Sequence, residues 1–327
     1  MPYRGGMSRP AAVTSPRPRL AAIWVALGAV YLIWGTTYFA IRVVNQTLPP
    51  LLSAAVRFLV AGAVLYAWAV SRGDAEGDRA TRAHWRSAAL VGLLLVVGGN
   101  GAVVWAERTI PSGLTALIIA LVPLWMALLD RLFFGGRLRP RAALGLVAGF
   151  GGAALLLGVN AAGDVHIAGM LVAVGASLSW ATGSLVSRTA HLPRRPLVGV
   201  GMQMLVGGAA LALAGLLAGE LGKVHVERFS RASVLALAYL IVVGSWGGFS
   251  AYLWLLRVTR TSLVSTYAYV NPVVAVFLGW LILGERVGLR TVLAGGIVLA
   301  SVAAIISAGG AHRELEPELA TGVQGGT

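Results

Sequence analysis

Two stretches of the chain, residues 98–154 and 247–303, carry one pattern 149 positions apart. Gly98 and Gly247, Gly99 and Gly248, Trp105 and Trp254, Pro123 and Pro272, Gly135 and Gly284, Arg137 and Arg286, and Arg141 and Arg290 fall in register. Matches on glycines, prolines and arginines constrain backbone shape and depth, where matches on apolar residues constrain only hydrophobicity. The segments ahead of these stretches repeat as well, at an offset of 146. There Leu32 pairs with Leu178, Trp34 with Trp180, Thr36 with Thr182, Arg42 with Arg188, Pro50 with Pro196, Leu51 with Leu197 and Gly62 with Gly208. The change of offset places a small length difference in the link between the second and third segments of each copy. One unit is used twice.

Each copy is built from apolar runs of about twenty residues, the length a helix needs to cross a hydrocarbon core. Ten such runs are predicted: 20–41, 49–70, 87–106, 110–129, 141–160, 166–187, 196–219, 232–256, 261–283 and 289–308. Only 12% of residues are charged, against about a quarter in soluble domains. All twelve acidic residues and all five histidines lie in polar connections or at segment ends. With no water to satisfy the backbone in lipid, continuous runs of this kind must be helices. The expected fold is an all-α polytopic membrane protein. Residues 1–19 form a disordered basic tail, 20–160 the first five-helix repeat, 166–308 the second, and 309–327 a disordered polar tail. A unit with an odd number of spans, inserted twice, must lie in opposite orientations, the inverted-repeat arrangement of secondary transporters.

The formal net charge of +14 raises the question of nucleic acid, but the arginines are spread over the links rather than gathered in one patch. Membrane orientation accounts for them better. With the amino terminus inside, 18 of the 26 Lys and Arg fall in inner segments and 7 in outer ones, leaving Arg57 within a helix. Both termini are therefore expected in the cytoplasm. There are no cysteines, which removes disulfides and thiolate metal sites from consideration. No cofactor or metal is expected.

With the Trp-Gly-Thr-Thr-Tyr segment at 34–38, the Pro123 and Pro272 helices, the Gly-Glu-Arg at 284–286 and the five-plus-five layout in hand, the chain resembles the EamA family of the drug/metabolite transporter superfamily. The resemblance covers about 20–308. It implies export or uptake of small metabolites, often amino acids, across a bacterial cytoplasmic membrane; export is the direction expected here. In the first copy the Gly-Glu-Arg is replaced by Gly135-Gly136-Arg137, so its acid has no counterpart there.

Polar groups at membrane depth are costly and hence are candidates for function. Arg57 lies about two turns into the second helix, and its repeat partner is Gln203. A long side chain at that depth either snorkels to the surface or faces a cavity, where its planar fork suits a carboxylate. Asn100, in a glycine run, serves either helix packing or solute. Pro123 and Pro272 remove backbone donors at corresponding places in the two copies, and paired interruptions of this kind point to a transport site. Trp34, Tyr38, Trp180, Tyr267 and Asn271 complete the candidate cavity lining, with aromatic faces suited to an apolar or cationic solute.

No Asp, Glu or His falls in the middle of any run, where proton-coupled pumps place one. Glu107, Asp130 and Glu285 are read as charges resting at the interface. The expectation is facilitated, gradient-driven transport rather than strict proton antiport, with drug efflux by antiport as the alternative. An integral membrane enzyme is disfavoured: paired metal-binding acids, an embedded Ser/His pair, phosphate-binding loops and His-Glu-x-x-His signatures are all missing. The partners implied are a small-molecule solute and the bilayer, not nucleic acid; monomer and homodimer both stay open.

Overall fold

The computed structural model describes residues 20–73, 80–133, 135, 140–157, 166–259, 261–264 and 266–322. The basic segment 1–19 lies outside them, as do Gly136 and Arg137. The described elements are helical. In chain order they are α1 (Leu20–Val44), α2 (Pro50–Ser71), α3 (Arg82–Ala106), α4 (Ser112–Phe133), α5 (Pro140–Leu157), α6 (Ile167–Thr189), α7 (Pro196–Leu217), α8 (231–258), α9 (Tyr267–Leu283) and α10 (Leu289–Gly322). Among the described residues eight helices are long and apolar enough to cross a membrane, while α5 and α9 are shorter apolar helices. α9 is shorter than the expected run 261–283 because the helix restarts: a turn at Thr261–Val264 precedes it. The hydroxyl of Thr266 donates to the Leu263 carbonyl at this restart (2.6 Å). The backbone of α10 stays helical to Gly322, past the expected end near 308.

Apolar side chains point outward as well as inward. Leu144 and Val147 of α5 are 72% and 73% exposed, which water would penalise and lipid does not. The interior is held instead by close approach of small residues. A Cβ built on Gly62 of α2 would lie 2.8 Å from the Met204 Cβ and 3.0 Å from the Leu205 amide of α7. One on Gly208 of α7 would lie 2.9 Å from the Leu59 amide of α2. Because 62 pairs with 208 and 59 with 205 at the 146 offset, these are one contact seen from its two sides. The α5–α10 pair behaves alike: Gly145 faces the Ser301 carbonyl and Gly152 the Ala294 carbonyl, and 145 pairs with 294 and 152 with 301 at the 149 offset. In the same way Trp34 of α1 lies on Gly248 of α8, while Trp180 of α6 lies on Gly99 of α3. A two-fold relation between the copies is written into these contacts.

Local irregularities repeat too. α3 widens into a π-helix over Leu93–Gly101 and α8 over Leu240–Gly247, a rare form that concentrates at functional places. In each, a side chain reaches five residues back to a carbonyl: Asn100 Nδ2 to Leu95 (3.1 Å) and Ser245 Oγ to Leu240 (3.0 Å). Pro123 sits just after an interruption of α4, between Ser112–Ile119 and Val122–Phe133. Pro272 lies inside α9, which continues around it.

The glycine contacts carry a direct test. Gly62→Val pushes a branched side chain into the α7 backbone and is expected to cost about 1–3 kcal/mol by overpacking. Gly28→Ala, with no neighbour within 4 Å of its Cβ, is expected to be neutral or slightly stabilising. Thermal unfolding of the two detergent-purified variants measures both.

Candidate functional site

One end of the bundle, where α1, α3, α7 and α9 finish and α2 and α4 begin, is tied shut by carboxylates. α7 closes on Gly219 and α9 on Gly284, both left-handed (φ 69° and 65°), a conformation only glycine adopts without strain. The acid after each glycine reaches across to a neighbouring helix. Glu220, buried, accepts from the amides of Leu51 and Leu52 at the start of α2 (2.9 and 3.0 Å). Glu285 accepts from the amide and hydroxyl of Ser112 (2.7 and 2.8 Å) and from the amide of Gly113 (3.1 Å) at the start of α4. Those amides are unpaired donors at the positive end of a helix dipole, so a carboxylate is their natural partner. The repeat partners of the two glycines, Gly73 and Gly135, also have positive φ.

Glu107 lies just past α3, within electrostatic reach of Glu285, and is fully buried. Neither of its carboxyl oxygens has a hydrogen-bond partner. Arg42 of α1 donates to the backbone carbonyl of the same residue. Burial, reinforced by the nearby Glu285, holds the Glu107 carboxyl well above the usual range, with Arg42 pulling it the other way. The interface position expected for Glu107 is therefore corrected: the link between α3 and α4 folds inward, with Ala106 and Ile110 in the core. Asp130, by contrast, is only half-buried and lies 3.7 Å from Arg188. Glu285 is half-buried and engaged rather than resting free.

Below the capped end, Arg57 is 5% exposed. Its Nε donates to Ser245 Oγ of α8 (3.2 Å), and its guanidinium carbon is 4.8 Å from the Phe58 ring centroid. It borders a cavity of about 10 Å³, lined also by Asn45, Ser53, Val104 and Leu240, with room for about one water. Asn45 donates to the Val104 carbonyl (2.9 Å), but its Oδ1 is buried without a partner. Arg57 thus does not reach the surface as a snorkelling side chain would.

A second group lies deeper. Trp34 packs on Phe249, Tyr252 and Tyr267 with ring centroids 5.6, 5.1 and 5.0 Å away. The Tyr31 hydroxyl bonds Thr266 Oγ1. Asn271 is buried, and with its amide turned to satisfy its neighbours it donates to the carbonyls of Tyr267 (3.2 Å) and Tyr31 (3.1 Å). It joins α9 to α1.

Of the residues singled out in the sequence, Trp34, Tyr267 and Asn271 come together. Tyr38 packs against the core cluster of α2, α3 and α7, and Arg57 occupies its own pocket. Trp180 belongs to the α3–α6 contact, while the Asn100 side-chain bond stays inside its own helix. The Gln203 backbone lies against Gly92 of α3, not against Arg57's partner Ser245. Sequence reasoning passed over Glu220, Phe249 and Ser245. The signal for the first was the Gly-Glu pair after an apolar run, present at both 219–220 and 284–285.

Comparison with known proteins follows the same division of the chain. The EamA-like transporter family matches residues 19–158 and 167–307. The uncharacterized inner membrane transporter YedA of Escherichia coli K12 is 39% identical over 286 residues, spanning 87% of this chain and 90% of that protein. The uncharacterized transporter YvbV of Bacillus subtilis is 22% identical over 292 residues, 89% of this chain and 92% of its own. A solved crystal structure matches with a TM-score of 0.59 at 23% identity over 90% of this chain and 99% of the other, and speaks for the fold alone.

The ties at the capped end predict an asymmetric loss. Glu285→Gln keeps one acceptor oxygen but sets an NH2 group against an N-terminal amide of α4, and is expected to cost about 1–3 kcal/mol. A lowered unfolding midpoint of the purified variant, larger still for Glu285→Ala, is the expected reading.

Proposed function

Because this chain belongs to the EamA-like transporter family, we propose that it is a multi-pass cytoplasmic-membrane carrier of small metabolites that works by alternating access. Ten spans form two five-helix copies in opposite orientation, with both termini cytoplasmic and the capped end outside. The observation that carries this reading is the set of repeat-related contacts: α2 on α7, α5 on α10, and α1 on α8 matched by α6 on α3. Such a pairing lets the copies exchange roles by rocking, so that a site between them faces each side in turn. With that end outermost, the carboxylate ties across it support an outward-shut state. Amino acids or related carboxylates are the solute class, moved outward. Arg57 would hold the carboxylate once opening enlarges the small cavity beside it, which Arg57 lines. The aromatic group around Trp34 favours a second reading, efflux of hydrophobic cations, since ring faces attract them.

A proteoliposome uptake screen over amino acids and cationic drugs separates the two. For a carboxylate solute, loss of a charge-assisted contact of about 1.5–3 kcal/mol predicts that Arg57→Ala raises KM at least tenfold, with Arg57→Lys recovering part. Movement of hydrophobic cations alone, indifferent to Arg57→Ala, would replace the carboxylate reading. Tags on the two ends found on opposite faces of the membrane would sink the topology.

A further inference from the structure

We propose that Glu107 is a proton-binding site built into the capped end: it carries a proton while that end is shut and releases it to water when the end opens. The inference rests on the alternating-access reading only in treating the capped end as one that opens. A carboxyl with no exposed surface and no donor on either oxygen has nothing to stabilise its charged form, and an isolated charge in such a place costs far more than taking up a proton. The cation that could compensate is adjacent but otherwise engaged. Arg42 gives its hydrogen bond to the Glu107 main-chain carbonyl rather than to the carboxyl.

The other groups around Glu107 do not offset its charge. From α1, the Tyr38 hydroxyl lies within electrostatic reach, and from the α9–α10 connection the Glu285 carboxylate opposes a second negative charge. From its own link, Arg108 is turned over the Trp105 ring, its guanidinium carbon 6.0 Å from the centroid. α6 presents Gly169 and Met170 to the adjoining Thr109 and Ile110, and α4 presents Ser112, whose amide and hydroxyl already serve Glu285.

Two arrangements are therefore available. In the first, seen here, Arg42 holds the main chain and Glu107 is neutral. In the second, separation of α4 from the α9–α10 connection admits water. The proton leaves to that water, and the Arg42 fork turns from the carbonyl to the carboxylate, a stronger pairing once both are charged. The shut state binds the proton more tightly than the open one, so by linkage a rising pH drains the shut population. Glu107 would thus tie the outer opening to external pH, although no acid sits at the middle of a span.

The absence of native cysteine allows a clean test. Ser53→Cys puts a thiol on a side chain that is 5% exposed and lines the Arg57 cavity. Its labelling by a membrane-impermeant maleimide reports opening without any solute. With Glu107 intact, the rate should climb with pH more steeply than in Ser53→Cys/Glu107→Gln, where the permanently neutral amide keeps the end shut and only the thiol's own titration remains. The excess is at most about tenfold per pH unit for one linked proton. Identical pH profiles in the two backgrounds overturn the proposal. Infrared spectroscopy of the unmutated protein gives a reading that survives a poorly folding variant. A buried protonated-carboxyl band should be present at neutral pH, shift in Glu107→Asp, and fade as pH rises; its absence at neutral pH overturns the proposal equally. Neither measurement involves transport, so both can succeed or fail whatever the solute proves to be.

Discussion

Helices immersed in hydrocarbon gain nothing by hiding apolar surface from one another, because lipid chains solvate leucine as well as another helix does. The bundle must be held by something else, and in this chain it is the absence of side chains at chosen places. Gly62 and Gly208 bring α2 and α7 together, and Gly145 and Gly152 bring α5 against α10. Dispersion between backbones at such range is small per atom pair but summed over the length of a helix. It also demands register, since a shift of one residue replaces a glycine by a Cβ that has no room. That demand accounts for the shared glycines at 62 and 208, while in the α5–α10 pair Gly145 and Gly152 correspond to the small residues Ala294 and Ser301.

The same two-fold relation makes departures from it informative. Left-handed glycines stand at all four related turns, Gly73 with Gly219 and Gly135 with Gly284, so the turn geometry is symmetric. The acids that follow are not. Glu220 and Glu285 bind helix starts at one end. In the first copy Gly136 stands where the second has Glu285, so one tie at the opposite end has no acid to make it. A carrier with equal ties at both ends would have no preference between its two facings. On the alternating-access reading proposed above, replacing one acid by glycine would bias the resting state toward closure at the end that keeps both.

Much of this was legible in the residues. Helical class, the doubled unit and the presence of Arg57 and Asn271 as costly polar groups within spans follow from hydropathy, offsets and the cost of polar groups in lipid; both prove buried. What escaped was whatever depends on which helix faces which. Trp34 and Trp180 occupy equivalent places and were expected to line one cavity together. A two-fold axis instead sends them to equivalent but separate contacts, Gly248 and Gly99. Asn100 looked like a group in search of a partner, and its partner is five residues back in its own widened helix. The π-helices leave no mark on the hydropathy pattern, since a widened turn is as apolar as a regular one.

Glu107 marks the limit of reading depth from sequence position. A residue just past an apolar run lies near the interface along the membrane normal, but that says nothing of its surroundings in the plane. Here the link between α3 and α4 turns into the bundle, and Ile110 is fully buried, so a position that is terminal along the chain is interior in the protein. The cost of a charge depends on local surroundings more than on distance from the bilayer centre, because protein packing excludes water as lipid does. A search for coupling acids restricted to the middle of spans therefore misses any acid buried where helices meet at the mouth. Placed there, beside an arginine able to turn toward it and near the Glu285 tie, a carboxyl would, on the proposed reading, change its environment more during opening than one at the midplane would.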